Sequence, residues 1–296
     1  MTDVDDDGPQ IIPGRAADVA GLPVQRLLPR PTRRTIGAWC FLDSFGPVGP
    51  GTPMEVGPHP HIGLHTVTWL LDGEVVHRDS LGSEQAIRPG QLNLMTAGHG
   101  ISHAEESPPQ AGRLHGAQLW VAQPEATRHG PPAFEHHAEL PVVGLSDGRA
   151  AVGSGGRATV LVGTFGGVRS PARADTPLLG VELRLDGRTS LAIDPTFEHG
   201  ITVLEGVAAL DDAPLPPGTT TYLAPGRIRL GLSSPGPATV LLLGGLPLEQ
   251  RLFMWWNFVA RSAEEIEQAR ADWEAGLRFG SVASMLDRVP APPFGT

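Results

Sequence analysis

The chain has 296 residues, of which 40% are hydrophobic and 18% are charged, and its formal net charge is −10. This length and composition predict one or two globular domains, each large enough to bury a core. An acidic chain lacks the basic surface needed for direct binding to nucleic acid or to an anionic membrane, so neither is expected as a partner.

Three features of the sequence bear on where the protein is located. The opening MTDVDDDGPQ has neither the basic nor the apolar region of a secretory signal, and no apolar run approaches the roughly 18 residues of a membrane helix. Cys40 is the single cysteine and stands among apolar residues in GAWCFLD, which predicts a buried thiol and no intrachain disulfide. We therefore expect a cytoplasmic protein.

A histidine-rich stretch follows, PHPHIGLHTVTWLLDGE at positions 58–74. It carries His59, His61 and His65 at two-residue or four-residue intervals. Alternate residues of a β-strand point to the same face, so an extended segment here would direct all three imidazoles to one place. This pattern predicts a common site for the three side chains.

A second polar stretch, MTAGHGISHAEESP, contains His103 and Glu105 two residues apart, which places them on one face of a strand. Two strands that each offer two such side chains suit a divalent first-row metal such as iron, copper, nickel, manganese or zinc, with coordination positions left open. The alternative is that these are surface histidines, or core histidines satisfied by hydrogen bonds.

The remaining histidines receive separate interpretations. Three roles are open for His65. It is an additional, fifth metal ligand, or it contacts a metal ligand or the substrate, or it is a neighbour without a role. His99, between two glycines in a predicted turn, either lines the mouth of the site or is exposed to solvent. His199 has no histidine near it in sequence, so no second metal is expected there. Turn-like or polar surroundings predict surface positions for four others: His77, His129, His136 and His137.

Short β-like runs punctuated by 38 glycines and 30 prolines predict an all-β fold of barrels or sandwiches. A weak repeat relates TWLLDGEVV and IRPGQLNL to TVLEGVAAL and LAPGRIRL, which predicts two copies of one barrel. Glycine, proline and polar residues accumulate around residue 140, so we expect domains over 1–140 and 141–296. Ten of the 11 histidines precede this boundary, which makes the first domain the metal-binding one.

One helix is predicted near the end of the chain, in RSAEEIEQARADWEAGLR at 261–278. Ser262 and Glu265 have the spacing of a capping box. The apolar positions follow a helical period and predict one buried stripe made of Ile266, Ala269, Trp273 and Leu277.

Several motifs resemble the pirin family of the cupin superfamily: GPHPHIGLHTVTWLLDGEVVHRDSLG, RPGQLNLMTAGHGISHAEES, GAQLWV and, near the start, AWCFLDSFGP. The resemblance covers nearly the whole chain. It implies a bicupin, two cupin-type β-barrels with a C-terminal helix, and one divalent metal in the N-terminal barrel, usually iron as Fe(II). The ligands that it implies are His59, His61, His103 and Glu105.

The chain also departs from the family pattern. Position 65 is commonly Glu or Gln and position 99 is often Arg in pirins, whereas this chain has His at both. His115, in LHGAQLWV, stands where pirins often have His. It either orients a metal ligand through a hydrogen bond or packs in the core.

The resemblance implies two functions of different classes. In the first, the protein is an oxidoreductase of the quercetin 2,3-dioxygenase kind, in which dioxygen reacts with a flavonol or related enol and Glu105 accepts the substrate hydroxyl proton. In the second, it is an iron-dependent regulator that acts through a protein partner and has no substrate. An intact ligand set fits both functions, and the sequence favours the enzyme only mildly.

Overall fold

The structure is a computed structural model that describes residues 8–108, 112–146 and 155–294. The first twelve strands are β1 Gln10–Pro13, β2 Arg15–Val19, β3 Leu22–Leu28, β4 Trp39–Val48, β5 Glu55–His61, β6 Leu64–Asp72, β7 Val75–Asp79, β8 Glu84–Ile87, β9 Leu92–Thr96, β10 Ile101–Glu106, β11 Leu114–Ala122 and β12 Ala133–His137.

The later elements are β13 Val142–Leu145, β14 Gly156–Phe165, β15 Val168–Arg169, β16 Leu178–Leu185, β17 Arg188–Ala192, β18 Glu198–Glu205, β19 Ala209–Leu210, β20 Ala213–Pro214, β21 Thr219–Leu223, β22 Arg229–Ser233, β23 Ala238–Gly245, β24 Phe253–Trp255, β25 Phe258–Ala260 and α1 Ala263–Glu274. This confirms the predicted all-β class with a helix near the C-terminus. No helix among the residues with described structure is long and apolar enough to cross a membrane.

The chain divides into two compact units. The N-terminal unit comprises residues 16–26, 41–139 and 249–296, and the C-terminal unit comprises residues 1–15, 27–40 and 140–248. A division after residue 139 therefore appears, close to the expected one. The chain ends are grouped differently from the expected domains 1–140 and 141–296, because α1 and the rest of 249–296 belong to the N-terminal unit.

Two main sheets build the N-terminal unit, together with the two-stranded sheet of β24 and β25. The larger has the strand order β12-β9-β6-β11-β4-β3-β2, and the smaller has the order β5-β10-β7-β8. Gly63 separates β5 from β6, so the chain leaves the smaller sheet and enters the larger one at this residue. Gly63 has a φ of +67°, and a Cβ there would lie 2.2 Å from the Val259 carbonyl oxygen, so only glycine fits.

The C-terminal segment packs its apolar residues against the end of β5. Ser262 caps α1, because its side chain accepts a hydrogen bond from the Glu265 N–H, as the capping-box spacing predicts. The buried stripe extends over three of the four predicted positions, and with its apolar neighbours it comprises Ile62, Phe258, Ala260, Ile266, Ala269, Trp273 and Phe279. Leu277 is 59% exposed, so its predicted burial is wrong. The helix has already ended there, with Gly276 in a left-handed conformation.

Two sheets also build the C-terminal unit, in the orders β1-β21-β18-β23-β16-β14-β13, with β15 beside β14, and β17-β22-β19-β20. Their inner faces carry a continuous aliphatic core that includes Val160, Leu183 and Val240. Cys40, which belongs to this unit, is buried, as predicted.

The internal repeat corresponds to equivalent turns in the two units. Gly73 and Gly206 follow the first repeated strand, with φ angles of +91° and +79°. Gly90 and Gly226 follow the second, with φ angles of +87° and +116°. All four turns need a left-handed residue, which explains why glycine recurs at these positions of the repeat.

His199 is a polar exception within the aliphatic core of the C-terminal unit. It is fully buried and shares its face of β18 with Ile201, a core residue. Neither ring nitrogen has a hydrogen-bond partner. Desolvation lowers the pKa of His199 to about 4. The unfolded chain takes up a proton here near pH 6.5 and the folded chain does not, so this contribution to stability is present above pH 6.5 and is lost as the pH falls towards 4.

We expect His199→Leu to reduce the acid sensitivity of folding. Between pH 7 and pH 5, the free energy of unfolding of the wild type should fall by ~2 kcal/mol more than that of the variant. Denaturant titrations at both pH values measure this difference. Ile201→Val, a core change on the same strand without a titrating group, should cost about 0.5–1.5 kcal/mol at both pH values. Equal pH dependence of wild type and His199→Leu would contradict the expectation.

Candidate metal centre

Two paired strands of the smaller N-terminal sheet carry the predicted ligands. His59 and His61 lie on β5, and His103 and Glu105 lie on β10. The strands are antiparallel, with His103 directly opposite His59. Because alternate residues share a face and directly opposed residues point to the same side, the three histidines converge. All four side chains are buried.

The three imidazoles form one compact group. His61 Nε2 lies 3.0 Å from His103 Nε2, and the ring centroids of His59 and His103 are 4.3 Å apart. One ligand atom from each of the three side chains lies within 4.8 Å of the others. No second group of this kind occurs in the residues that the structure describes, including those around His199.

Hydrogen bonds fix which nitrogen faces the centre in two of the three rings. His59 Nδ1 lies 2.9 Å from the Gly57 carbonyl oxygen, and His61 Nδ1 lies 3.0 Å from the Asn257 carbonyl oxygen. A carbonyl oxygen only accepts, so both Nδ1 atoms carry the hydrogen and both Nε2 atoms present a lone pair. These two rings are therefore oriented as metal ligands before any ion binds.

The electrostatics of the group fit a metal ion. Desolvation lowers the pKa of His59 to about 4, and the pKa values of His61 and His103 fall well below their usual range for the same reason. The imidazoles are neutral at physiological pH, which is the form that binds metals. His61 Nε2 and His103 Nε2 lie 3.0 Å apart, so both nitrogens are within reach of a single cation. The donor set therefore fits a divalent first-row metal.

Glu105 lies beside this group but outside the cluster of three histidines. The β5–β10 pairing shifts register between His103 and Glu105. The Glu105 side chain is buried, and its Oε1 accepts a hydrogen bond of 3.1 Å from Thr68 Oγ1. Desolvation raises the pKa of Glu105. The role of Glu105 as fourth ligand stays a prediction.

The expectation that one strand carries His65 together with His59 and His61 is wrong. His65 lies on β6, beyond the turn at Gly63, and its Nδ1 is 3.0 Å from Thr96 Oγ1. On β6, Thr68 points towards Glu105, so His65, three residues earlier, lies on the opposite face. The prediction assumed that residues 59, 61 and 65 alternate along one strand, and the turn at Gly63 interrupts that strand.

His115 lies far from the metal group along β11. It is buried near the start of this strand, opposite Asp72. Trp120 of the same strand contacts His61, with ring centroids 5.2 Å apart, and five residues of strand separate His115 from it by ~17 Å. Of the two interpretations of His115, this distance favours packing.

The predicted surface position of His77 is wrong. Only 3% of His77 is exposed, and its Nδ1 lies 3.3 Å from His103 Nδ1. Its Nε2 lies 3.0 Å from Asp79 Oδ2. The sequence carried a signal for this position, because His77 and Asp79 are two residues apart in HRD. The pairs His59/His61 and His103/Glu105 have the same spacing.

The four other histidines of the N-terminal unit range from exposed to half-buried. His99 is exposed and lies 3.0 Å from the Gly130 carbonyl oxygen, which matches the solvent-exposed interpretation. His129 is exposed, as predicted, whereas His136 and His137 are half-buried. The surface prediction therefore describes His129 well and the β12 pair only in part.

A polar wall lies across the larger sheet, on the face that Glu105 contacts. Thr68 stands between Asn93 of β9 and Gln118 of β11, which are its direct partners on the two neighbouring strands. Asn93 Nδ2 and Gln118 Oε1 are buried without a hydrogen-bond partner. Trp120, two residues after Gln118, stacks on Phe41 with ring centroids 4.0 Å apart. Unpaired buried amide atoms are costly, so they mark a place where a polar ligand can bind.

The comparisons with known proteins agree with this geometry. Residues 21–121 match the family Pirin, and residues 178–280 match the Pirin C-terminal cupin domain. A Pseudomonas aeruginosa protein named as a candidate quercetin 2,3-dioxygenase is 46% identical over 96% of this chain and 90% of its own length. A pirin-like protein of Caulobacter vibrioides is 37% identical over 90% of this chain and 93% of its own length.

A solved structure gives the same result. The crystal structure of quercetin 2,3-dioxygenase from Acinetobacter baumannii has a TM-score of 0.91 and 42% sequence identity, and it covers 97% of this chain and 95% of its own. These findings confirm the family resemblance and the two predicted cupin domains.

We expect His61→Asn to weaken metal binding by more than ~100-fold, since even residues that only support a ligand are worth ~10–100-fold. His65→Asn should retain one metal ion per chain, because His65 lies on the opposite face of β6 from Thr68. Metal content after dialysis against a metal buffer, measured by elemental analysis, checks both variants. Loss of metal from His65→Asn and its retention by His61→Asn would contradict this description of the site.

Proposed function

The chain belongs to the pirin family, and from this membership and the three-histidine group we propose that it is a metal-dependent dioxygenase acting on quercetin or a related flavonol. The observation that carries the proposal is the convergence of His59, His61 and His103, buried and neutral, beside a wall with unpaired amide atoms. The relatives with 42% and 46% identity bear the name of this activity. A site that buries its metal ligands and also faces polar groups suits a small polar substrate.

We propose iron, as Fe(II), for the metal, with copper, nickel, manganese and zinc as alternatives that the same imidazoles accept. The ion would be held by His59, His61 and His103, with Glu105 as the proposed fourth ligand. When bound, it supplies Lewis-acid polarisation and open positions for the substrate oxygen and dioxygen.

Glu105 is the proposed base. Its Oε1 is held by the Thr68 hydroxyl, so Oε2 is the oxygen to accept the proton of the substrate 3-hydroxyl. Desolvation raises the pKa of Glu105, which makes its carboxylate a stronger base than an exposed one. Removing the hydroxyl proton leaves an electron-rich enolate, which is the form of a flavonol that reacts with dioxygen.

The polar wall is the proposed contact for the oxygen atoms of the substrate. Asn93 Nδ2 can donate to a carbonyl or hydroxyl oxygen, and Gln118 Oε1 can accept from a hydroxyl group. His136 Nδ1 lies 2.7 Å from Asn93 Oδ1 and so fixes the orientation of this amide. The stacked Trp120 and Phe41 rings give a flat apolar surface that suits a fused aromatic substrate.

We propose a cytoplasmic location, which fits a chain whose single cysteine, Cys40, is a buried thiol, since thiols stay reduced there. No partner other than the flavonol and dioxygen is needed for the proposed activity.

We expect Glu105→Gln, loaded to the metal content of the wild type, to consume quercetin ~10²–10⁴-fold more slowly, because the amide cannot act as the base. The decline of the flavonol absorbance in air and the release of carbon monoxide measure the rate. Glu106→Gln is the matched control, since the neighbouring carboxylate pairs instead with Arg78 at 3.3 Å. Turnover of Glu105→Gln at the wild-type rate would leave Glu105 without a role as base. Absence of turnover in the wild type would favour the regulator.

We expect Asn93→Leu and Gln118→Leu each to raise KM for quercetin by about threefold to tenfold, the value of one hydrogen bond, with a smaller change in kcat. Steady-state kinetics at the wild-type metal content check this. Gln91→Leu, in the turn before β9, removes an amide that instead accepts from the Arg88 N–H, and it should leave KM unchanged. An unchanged KM in both wall variants would exclude these amides from substrate binding.

A further inference from the structure

We propose that His77 and Asp79 act as a positioning pair for the metal ligand His103, fixing which of its nitrogens faces the metal and increasing its strength as a donor. The inference goes beyond the ligand set. It rests on the metal-binding part of the proposed function and is independent of the substrate.

The three side chains form a continuous hydrogen-bonded chain that ends at the metal group. Asp79 Oδ2 lies 3.0 Å from His77 Nε2, His77 Nδ1 lies 3.3 Å from His103 Nδ1, and His103 Nε2 lies 3.0 Å from His61 Nε2. All three residues are buried. The chain therefore runs from a carboxylate, through one imidazole, to the outer nitrogen of a second imidazole whose inner nitrogen faces the metal group.

The direction of each hydrogen bond follows from the carboxylate. An ionised carboxylate only accepts, so His77 Nε2 carries a hydrogen and donates it to Asp79. A metal ion on His103 Nε2 requires the hydrogen of that ring on Nδ1, and His77 Nδ1, 3.3 Å away, is placed to accept it. His103 Nε2 is thereby left without a hydrogen and is available to a metal. Reversing the order of the hydrogens would place one on His103 Nε2 and block coordination.

The carboxylate at the start of this chain is held rigidly. Asp79 Oδ1 accepts hydrogen bonds from the Leu81 N–H at 2.9 Å and the Ser83 N–H at 3.0 Å, which leaves Oδ2 for His77. Strand pairing places Asp79 opposite His103. Phe134 stacks on the His77 ring, with centroids 4.3 Å apart and an angle of 11° between the planes. The pair is therefore fixed in position by groups outside it.

His103 differs in this respect from the other two ligands. His59 and His61 donate to the backbone carbonyls of Gly57 and Asn257, which are neutral acceptors. Only the hydrogen-bonded series behind His103 ends in a carboxylate. His103 is therefore the one histidine of the three whose outer nitrogen gains electron density from a charged group. A stronger donor stabilises the more oxidised form of a redox-active metal.

The test measures metal affinity directly, without a flavonol. Ni²⁺ in air and Fe²⁺ under anaerobic conditions are titrated into the metal-free full chain in competition with a chromogenic chelator. Asp79→Asn keeps a carbonyl oxygen for Leu81 and Ser83 but offers an N–H to His77, which reverses the order of hydrogens. His77→Phe keeps the stacking on Phe134 and removes the acceptor. His77→Gln offers both an acceptor to His103 and a donor to Asp79.

Glu135→Gln is the matched control. Glu135 Oε2 lies 3.0 Å from His137 Nε2, which gives another strand histidine–carboxylate pair at two-residue spacing, but this pair is half-buried and lies outside the histidine group. Losing the positioning pair should cost ~10–100-fold in affinity for either ion in Asp79→Asn and His77→Phe. His77→Gln should recover most of this loss, and Glu135→Gln should bind as the wild type does.

Two further measurements distinguish a positioning role of His77 and Asp79 from a role in folding alone. The melting temperature of each metal-free variant reports folding, and the reduction potential of the iron-loaded protein should rise in Asp79→Asn, because less negative charge reaches the metal. If His77→Phe does not fold, Asp79→Asn alone decides. Affinity and potential equal to those of Glu135→Gln would overturn the proposal. Weakened metal binding in Asp79→Asn, combined with a wild-type protein that consumes no flavonol, would uphold the positioning role while refuting the proposed activity.

Discussion

The pairing of β5 with β10 is the constraint on which the candidate site depends. It sets His103 opposite His59 and, by strand alternation, brings His61 to the same face. Since a shift of one residue would turn every side chain of a strand to its other face, this register has to be held firmly. The support comes from β7, which pairs with the other edge of β10 and brings His77 and Asp79 behind His103.

The end of the chain completes this support. Asn257, in the turn between β24 and β25, supplies the carbonyl that orients His61, and the Val289 N–H donates to the Pro58 carbonyl at 2.9 Å. A Cβ at Gly57 would lie 2.2 Å from the Asp287 carbonyl oxygen, so the tail runs against the backbone of β5. The apolar stripe of α1 holds this segment in place. It follows that residues 249–294 belong with the histidine group physically, although they are remote from it in sequence.

The two units are both built from paired sheets, but the side chains on their inner faces differ in polarity. In the C-terminal unit the inner faces carry aliphatic side chains, and His199 is isolated among them. In the N-terminal unit an apolar cluster that includes Phe45 and Leu70 occupies part of the interior, and histidines and amides line the rest. Burying so many polar groups costs free energy unless they are paired or bind a ligand, which is why the unpaired Asn93 and Gln118 amide atoms point to function.

The sequence alone determined the all-β class, the repeated glycine turns, the capped helix and the three histidines of the candidate metal centre, because each depends on local spacing or on a family motif. Local spacing failed where a turn intervened, as at Gly63, which sends His65 to the opposite face. Only the tertiary structure decided the contact of His77 with His103 and that of His61 with the Asn257 carbonyl, which lies 196 residues along the chain. Such contacts are set by strand pairing and packing between distant segments, and no local period records them.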